Sequence, residues 1–254
     1  MRSSLQLYDI HLTVGNIVCF EKMLRYIKLV SFLLFFVLGL HGLRSNQDQN
    51  QSKFPTLKKI SASKYQFGQI VIDRKESFLE FNATTNQTNG LIEYALVHES
   101  GKTHESLFRT KVRPQIFHAC LLLLKLPIEN RFFKNLWSNE PKQIDYSKST
   151  LEAEVLWETN GTLFSKSLEK FVYNSKNSKV LKDRAFIFTG SKKIEGTYLA
   201  EMSGSIIAVY ADEEAVVNST DHDSNNDDVW LANGKEMPKL EVPVKLRFLL
   251  PREQ

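Results

Sequence analysis

A chain of 254 residues, 42% hydrophobic and 24% charged, carries enough apolar material for the core of one domain or two small ones. Its net charge of +4 is dispersed among acidic residues, with no long basic run and no interleaved aromatic platform. That balance excludes the electrostatic footprint of a nucleic-acid binder.

The first element in chain order is a leader. Residues 23–45 read MLRYIKLVSFLLFFVLGLHGLRS, with Arg25 and Lys28 as a positive start, a twelve-residue apolar run Leu29–Leu40, and Gly42 as the small residue of a cleavage point. This is the grammar of a secretory signal peptide over 23–44, and the run is shorter than the ~20 residues of a membrane-spanning helix. The alternative is an uncleaved membrane anchor through residues 29–40. Residues 1–22 precede the Met from which such a leader would start, and read as an over-extended start. The expected location is therefore exported, periplasmic or secreted. Cys19 lies upstream of the apolar run, which leaves Cys120 alone in HACLLLLKL as a small hydrophobe. One cysteine makes neither an intramolecular disulfide nor an iron–sulfur cluster.

Residues 45–64, beginning SNQDQNQSK, are polar and aperiodic and predict a flexible linker. Strand-like runs follow. FGQIVIDR and SFLEFNA flank RKE as a hairpin, and a second hairpin is expected from Leu91–His98 and Thr103–Thr110 about a tight turn at Ser100-Gly101. VRPQIFHACLLLLKL, with Pro114 suited to a first helical turn, predicts one largely buried central helix over about 113–125. Residues 127–149 are irregular and read as a surface insertion. The strand pattern returns in LEAEVLWET, LEKFVYN, RAFIFTGS, GTYLAEMSGSIIAVYA and VPVKLRFLLP, with Asn160-Gly161 as a hairpin turn. The expected fold class is α+β: mainly antiparallel sheet around that helix, in a single globular domain over 65–251.

The ordered pieces NGLIEYALVHESGKTHESLFRTKVRPQIFHACLLLL, EVLWETNG, FIFTGS, GSIIAVY, DDVWLAN and VPVKLRF resemble the YdjY-domain family of exported bacterial proteins, over about residues 68–250. The resemblance implies an exported domain with no assigned biochemical activity. Some relatives carry iron–sulfur labels, which this sequence does not support because it has no cysteine cluster.

Three groups of residues bear chemistry. The run GKTHESLFRT places His104, Glu105 and Ser106 in succession. In the expected antiparallel register His104 and Ser106 share a face with Glu93, while Glu105 points the other way. A Ser106–His104 pair oriented by Glu93 is the catalytic candidate. Neighbours two apart on a strand stand side by side, however, and no G-x-S-x-G elbow occurs, so a structural role is the competing expectation. His98, His104 and His118, with Glu99 or Glu105, are zinc-ligand types without H-x-H or H-E-x-x-H spacing. Asp221, Asp223 and Asn225 reproduce the D-x-D-x-N start of an EF-hand loop. The twelfth position is Ala232, so closure would need Asp227 or Asp228. Calcium is thus the one cofactor to consider and none is otherwise expected. Four N-x-[ST] sequons, at Asn82, Asn86, Asn160 and Asn218, read as accidents of an Asn/Thr-rich composition.

The expectation is a non-catalytic exported binding or structural module, with an envelope protein as the partner class and membrane contact only through an uncleaved leader. The alternative is a hydrolase or metal-dependent enzyme acting at His104, Ser106 and Glu93 or at the acidic loop 221–228.

Overall fold

The computed structural model describes residues 54–251, so the leader and most of the expected linker lie outside the described residues. The elements begin with β1 (Leu57–Lys59), β2 (Lys64–Phe67), β3 (Ile70–Asp73), β4 (Phe78–Thr85), β5 (Tyr94–His98) and β6 (Ser106–Thr110). Helices α1 (Pro114–Leu123) and α2 (Phe132–Leu136) precede β7 (Glu152–Thr159), β8 (Thr162–Ser167), β9 (Val172–Asn174), β10 (Lys179–Val180) and β11 (Phe186–Phe188). The chain continues through β12 (Lys193–Ile194), β13 (Thr197–Tyr198), α3 (Leu199–Ser203), β14 (Ser205–Ala208), β15 (Val217–Ser219), β16 (Trp230–Ala232) and β17 (Pro243–Leu249). The protein is mostly β with few helices, and at that level the α+β expectation holds.

Period-two patterning builds the main sheet. Leu79, Phe81 and Ala83 of β4, Ala153, Val155 and Trp157 of β7, and Val244, Leu246 and Phe248 of β17 all point inward, because alternate side chains leave opposite faces of a strand. Antiparallel pairing places Leu246 between Phe81 and Val155, and Phe248 between Leu79 and Ala153. On the outer face Arg247 and Lys245 meet Glu80 at 2.8 and 3.3 Å. The predicted hairpins β3–β4 and β7–β8 both form, the second about Asn160-Gly161 with φ of 52° and 76°. Such left-handed pairs match the twist of the strands they join.

The large sheet turns back on itself. One path runs β4-β6-β5-β14-β15-β11, and another runs β4-β17-β7. Their ends meet where Thr150, just before β7, bridges Ile187 of β11, and Leu151 N–H donates to Phe186 O at 3.0 Å. The eight strands so linked form a barrel-like circuit around the core. Phe117 of α1 packs edge-on against the stacked rings of Phe81 and Phe248, with ring centroids 5.8 and 5.1 Å away. Burying such a side chain contributes about 1.5–3 kcal/mol before pairing effects. Pro114, Ile116, Phe117, Cys120 and Leu121 of α1 are buried, whereas Leu122 and Leu123 are exposed. Two strands, β9 and β16, extend to β10 in a separate small sheet.

Four expectations need correction. The stretch Leu91–Thr110 is not a hairpin: β5 and β6 are parallel, with Tyr94 beside Ser106 and Leu96 beside Phe108. Parallel neighbours ordinarily need a crossover of a dozen residues or more, yet only residues 99–105 lie between these two. The connection fits because Gly101 passes directly over Gly204. A Cβ on Gly101 would lie 2.7 Å from Ser203 O and 2.9 Å from Gly204 Cα. The run GTYLAEMSGSIIAVYA is not one strand. Ala200, Glu201 and Met202 favour a helical turn, and Gly204, at φ 74°, ends it with its N–H on Ala200 O. The expected linker is ordered from Leu57, as β1 pairs with β2. Finally, the insertion 127–149 carries α2, whose Phe132 packs on Ile187 and Ala211, while Glu129 N–H donates to Phe188 O at 2.8 Å. It covers the outer edge of β11.

Candidate functional site

The polar block at the start of β6 does not assemble a nucleophile. Thr103–Glu105 forms a short 3-10 turn that carries the chain back alongside β5. Ser106 follows it fully buried, and its hydroxyl donates to Phe108 O at 2.8 Å. The His104 side chain is 78% exposed, with its ring 3.7 Å from the Glu105 carboxylate. No hydrogen bond joins His104 to Ser106 among the described residues. Glu93 is half-buried and its backbone N–H donates to Glu105 O at 3.0 Å. Burial pushes the Glu93 carboxyl up, and the nearby Glu105 and Asp227 charges push the same way against Lys102.

Asn86 holds the block in place. Its amide donates to Thr103 O at 2.5 Å and Ser106 O at 2.7 Å, and its own oxygen accepts from Arg109 at 3.1 Å. In the sequence this residue stands out only as a glycosylation sequon. Its position beside a turn with orphan carbonyls became legible only with the fold.

Tyr94, Lys102 and Asp212 come together on the same crossover. The Tyr94 hydroxyl donates to Asp212 Oδ2 at 2.8 Å and accepts from Lys102 Nζ at 2.5 Å. The ammonium also lies 4.8 Å from the centre of the Tyr94 ring. Burial and then the Asp212 charge drive the phenol's ionisation far upward, so Tyr94 stays protonated and cannot serve as a base. Asp212 in turn is fixed by Asn218, which accepts from Asp212 N–H at 2.8 Å and donates to Asp212 O and to Thr189. The trio fastens the crossover to the turn before β15. No local pattern links residues so far apart in the chain.

The acidic loop divides into two faces. Asp221 and Asp223 are buried and already hold protein donors. Asp221 Oδ2 accepts from Lys182 N–H at 3.0 Å, and Asp223 Oδ2 accepts from Asn174 at 2.8 Å. His222 bridges the two carboxylates at 2.7 and 2.9 Å, and Lys176 reaches Asp223 at 3.2 Å. Asn225, Asp227 and Asp228 are exposed, and Asn226 caps the turn that follows by accepting from Asp228 N–H at 3.0 Å. The five calcium candidates thus do not converge. Among the described residues no group of three or more His, Cys, Asp or Glu is placed to hold a metal ion.

The three histidines weighed as zinc ligands are apart. His98 Nδ1 meets Ser100 Oγ at 2.7 Å, and His104 faces solvent. His118 Nδ1 lies 2.7 Å from Tyr198 Oη, whose proton goes to Gly190 O at 3.1 Å. The imidazole is therefore the donor to the phenol oxygen, and burial lowers its affinity for a second proton. Cys120 is buried, and burial alone raises its thiol well above the usual range.

Two open clefts flank the outer side of α1. One of about 400 Å³ is lined by Phe54, His118, Leu122, Lys193, Glu201 and Met202. Glu201 also accepts from Gln115 N–H at 3.2 Å and pairs with Arg113, which supplies from α3 the cap that the first turn of α1 lacks. The other, of about 800 Å³, has Arg74, Lys75, Lys125 and Lys148 around Leu123 and Leu250. Neither cleft was foreseen from the sequence, because each draws on segments distant in the chain.

The YdjY domain family matches residues 70–249, and the chain belongs to that family. No curated protein and no solved structure matches it.

Proposed function

We propose that this YdjY-domain protein is an exported, non-catalytic binding or structural module of the bacterial envelope. The observation that carries the non-catalytic half is the state of Ser106: its hydroxyl is fully buried and engaged by Phe108 O, while the would-be base, His104, faces solvent. A nucleophile needs its base within hydrogen-bond reach and an open approach for substrate. Support for export comes from the leader pattern over 23–44 and from a mature chain with one buried cysteine.

Ser106→Ala and His104→Ala test the reading together. Ser106→Ala loses about 1 kcal/mol, the net value of one hydrogen bond, and His104→Ala stays within ~0.5 kcal/mol as an exposed change. Both variants should match the parent in ester and phosphoester hydrolysis, at background. Turnover that disappears in either variant would overturn the proposal in favour of the hydrolase alternative. Thermal melts with calcium, zinc or EDTA should superimpose, since a ligand of the native state raises the midpoint by mass action. A calcium shift abolished by Asp221→Ala would establish the acidic loop as a metal site instead. Signal-peptidase cleavage or membrane fractionation of the expressed chain tests export.

A further inference from the structure

We propose that the face carried by the outer side of α1 docks onto an anionic lipid surface. This rests on the reading of the domain as an exported binding module and names the partner of that module.

Single exposed apolar residues are ordinary on a protein surface. Here they gather. Phe54, Leu122 and Met202 line one cleft, and they are 54%, 48% and 75% exposed. Leu123, next to Leu122 in α1, is 45% exposed and opens onto the second groove. Neighbouring residues of α1 thus carry exposed apolar side chains to both clefts. The patch is rimmed by cations. Lys193 and Glu201, the latter paired with Arg113, stand at the first cleft, and Arg74, Lys75 and Lys148 line the second beside Lys125, with no acidic side chain in its lining. Arg74, Lys75 and Lys148 make no ion pair among the described residues. Apolar side chains ringed by lysine and arginine are the surface chemistry of proteins that rest in a headgroup layer of negative charge.

Where the leader is retained as the membrane anchor through residues 29–40, the chain's own connection selects a membrane over other occupants. Phe54 belongs to the patch and is fixed there by stacking on Phe67, with centroids 6.4 Å apart. Thirteen residues, 41–53, separate it from the apolar run Leu29–Leu40. Those residues reach at most about 45 Å when extended. Any membrane that receives the apolar run is therefore within reach of this face, because the tether attaches at it. Residues 45–53, SNQDQNQSK, contain no apolar side chain.

The test uses the full chain with Cys19→Ser and one introduced thiol bearing an environment-sensitive fluorophore. The probe sits at Met202→Cys or, as a control, at Leu163→Cys, which is 70% exposed and lines neither cleft. Buried Cys120 stays unlabelled. The chain is synthesised with vesicles rich in phosphatidylglycerol or made of phosphatidylcholine alone. On the anionic vesicles the Met202 probe should shift to the blue and gain intensity several-fold, the Leu163 probe should remain water-like, and salt should diminish the gain. Lys75→Glu with Lys148→Glu should abolish it while the chain still pellets with the vesicles. A flat Met202 signal from pelleted chain overturns the docking face and leaves the export reading standing. A chain that stays in the supernatant overturns both. A Met202 probe already buried without vesicles overturns the lipid assignment, and points to the apolar run or a second copy as the occupant.

Discussion

Gly101→Ala tests the short parallel crossover directly. The added methyl would fall 2.7 Å from Ser203 O, 2.9 Å from Gly204 Cα and 3.2 Å from His98 O. All three are backbone atoms, so no rotamer change relieves the contact. Carbon contacts settle at about 3.5–4.0 Å, and the crossover must therefore lift from Gly204 by more than half an ångström on the order of that deficit. The lift strains the hydrogen bond from His98 N–H to Gly204 O, now 2.8 Å, which continues the pairing of β5 with β14. Overpacking costs about 1–3 kcal/mol, and a weakened backbone bond adds about 0.5–1.5 kcal/mol. Loss of glycine's freedom in the unfolded chain returns about 0.4–1 kcal/mol. The net destabilisation is about 2–3 kcal/mol, or roughly 5–10 °C in a domain of this size. Urea titration with an unchanged slope, alongside a thermal melt, measures it. A variant within 0.5 kcal/mol of the parent, on the order of an ordinary surface change, would refute the close approach and with it the crossover that depends on it. Gly204→Ala meets the same crossing from the other side, its methyl 2.7 Å from Gly101 Cα and 3.1 Å from Gly101 N, and adds left-handed strain at φ 74°. The double variant should cost less than the sum, because both methyls force one displacement.

Three further outcomes follow from single side chains. Glu169 is buried, and burial raises its carboxyl against the opposing hydrogen bond from Ser167. Its folded-state pKa lies above the unfolded one, so its stability contribution is full below the unfolded value near ~4.3 and fades as pH rises through the folded value. Glu169→Gln should therefore melt higher than the parent at pH 8 and lose that advantage towards pH 4, and parallel melting curves would contradict it. Glu201→Ala removes the carboxylate that receives Gln115 N–H and Arg113, and should cost about 1–2 kcal/mol by urea titration. Glu201→Gln should recover part, since an amide oxygen still accepts. The Ser224 hydroxyl is buried without a hydrogen-bond partner among the described residues, so Ser224→Ala should be neutral or stabilising. A loss above ~1 kcal/mol would show that the hydroxyl binds a water or ion.

What was legible in the sequence was local. Alternation in SFLEFNA, LEAEVLWET and VPVKLRFLL marked the inward residues of β4, β7 and β17, and Asn160-Gly161 marked its turn, because each signal lies within one strand or one loop. The helix over Pro114–Leu123 was legible from its proline and its apolar density, and Leu122 from the stripe it shares with Gln115, His118 and Lys125, but the exposure of Leu123 was not, since a run apolar nearly all round does not say where the sheet's cover ends. The acidic loop read correctly as a loop. Its ligand pattern failed because Lys182, Asn174 and Lys176 come from other segments to engage Asp221 and Asp223.

The misread topology and the misread site have one cause. Ser100-Gly101 has the composition of a hairpin turn, and a hairpin would have set His104 and Ser106 side by side on an antiparallel strand. β6 instead runs parallel to β5, with Gly101 meeting Gly204 and Lys102 reaching Tyr94 and Asp212. Gly204 and Asp212 lie more than a hundred residues beyond the turn. With β6 reversed, His104 falls in the return turn and faces solvent, while Ser106 becomes the first residue of an interior strand beside Tyr94. Position alone then determines what each side chain can do. A buried hydroxyl must find an acceptor, and the nearest is Phe108 O on its own strand. The crossover that sets β6 parallel to β5 therefore also separates the pair, with the Ser106 hydroxyl engaged inside and the His104 ring outside.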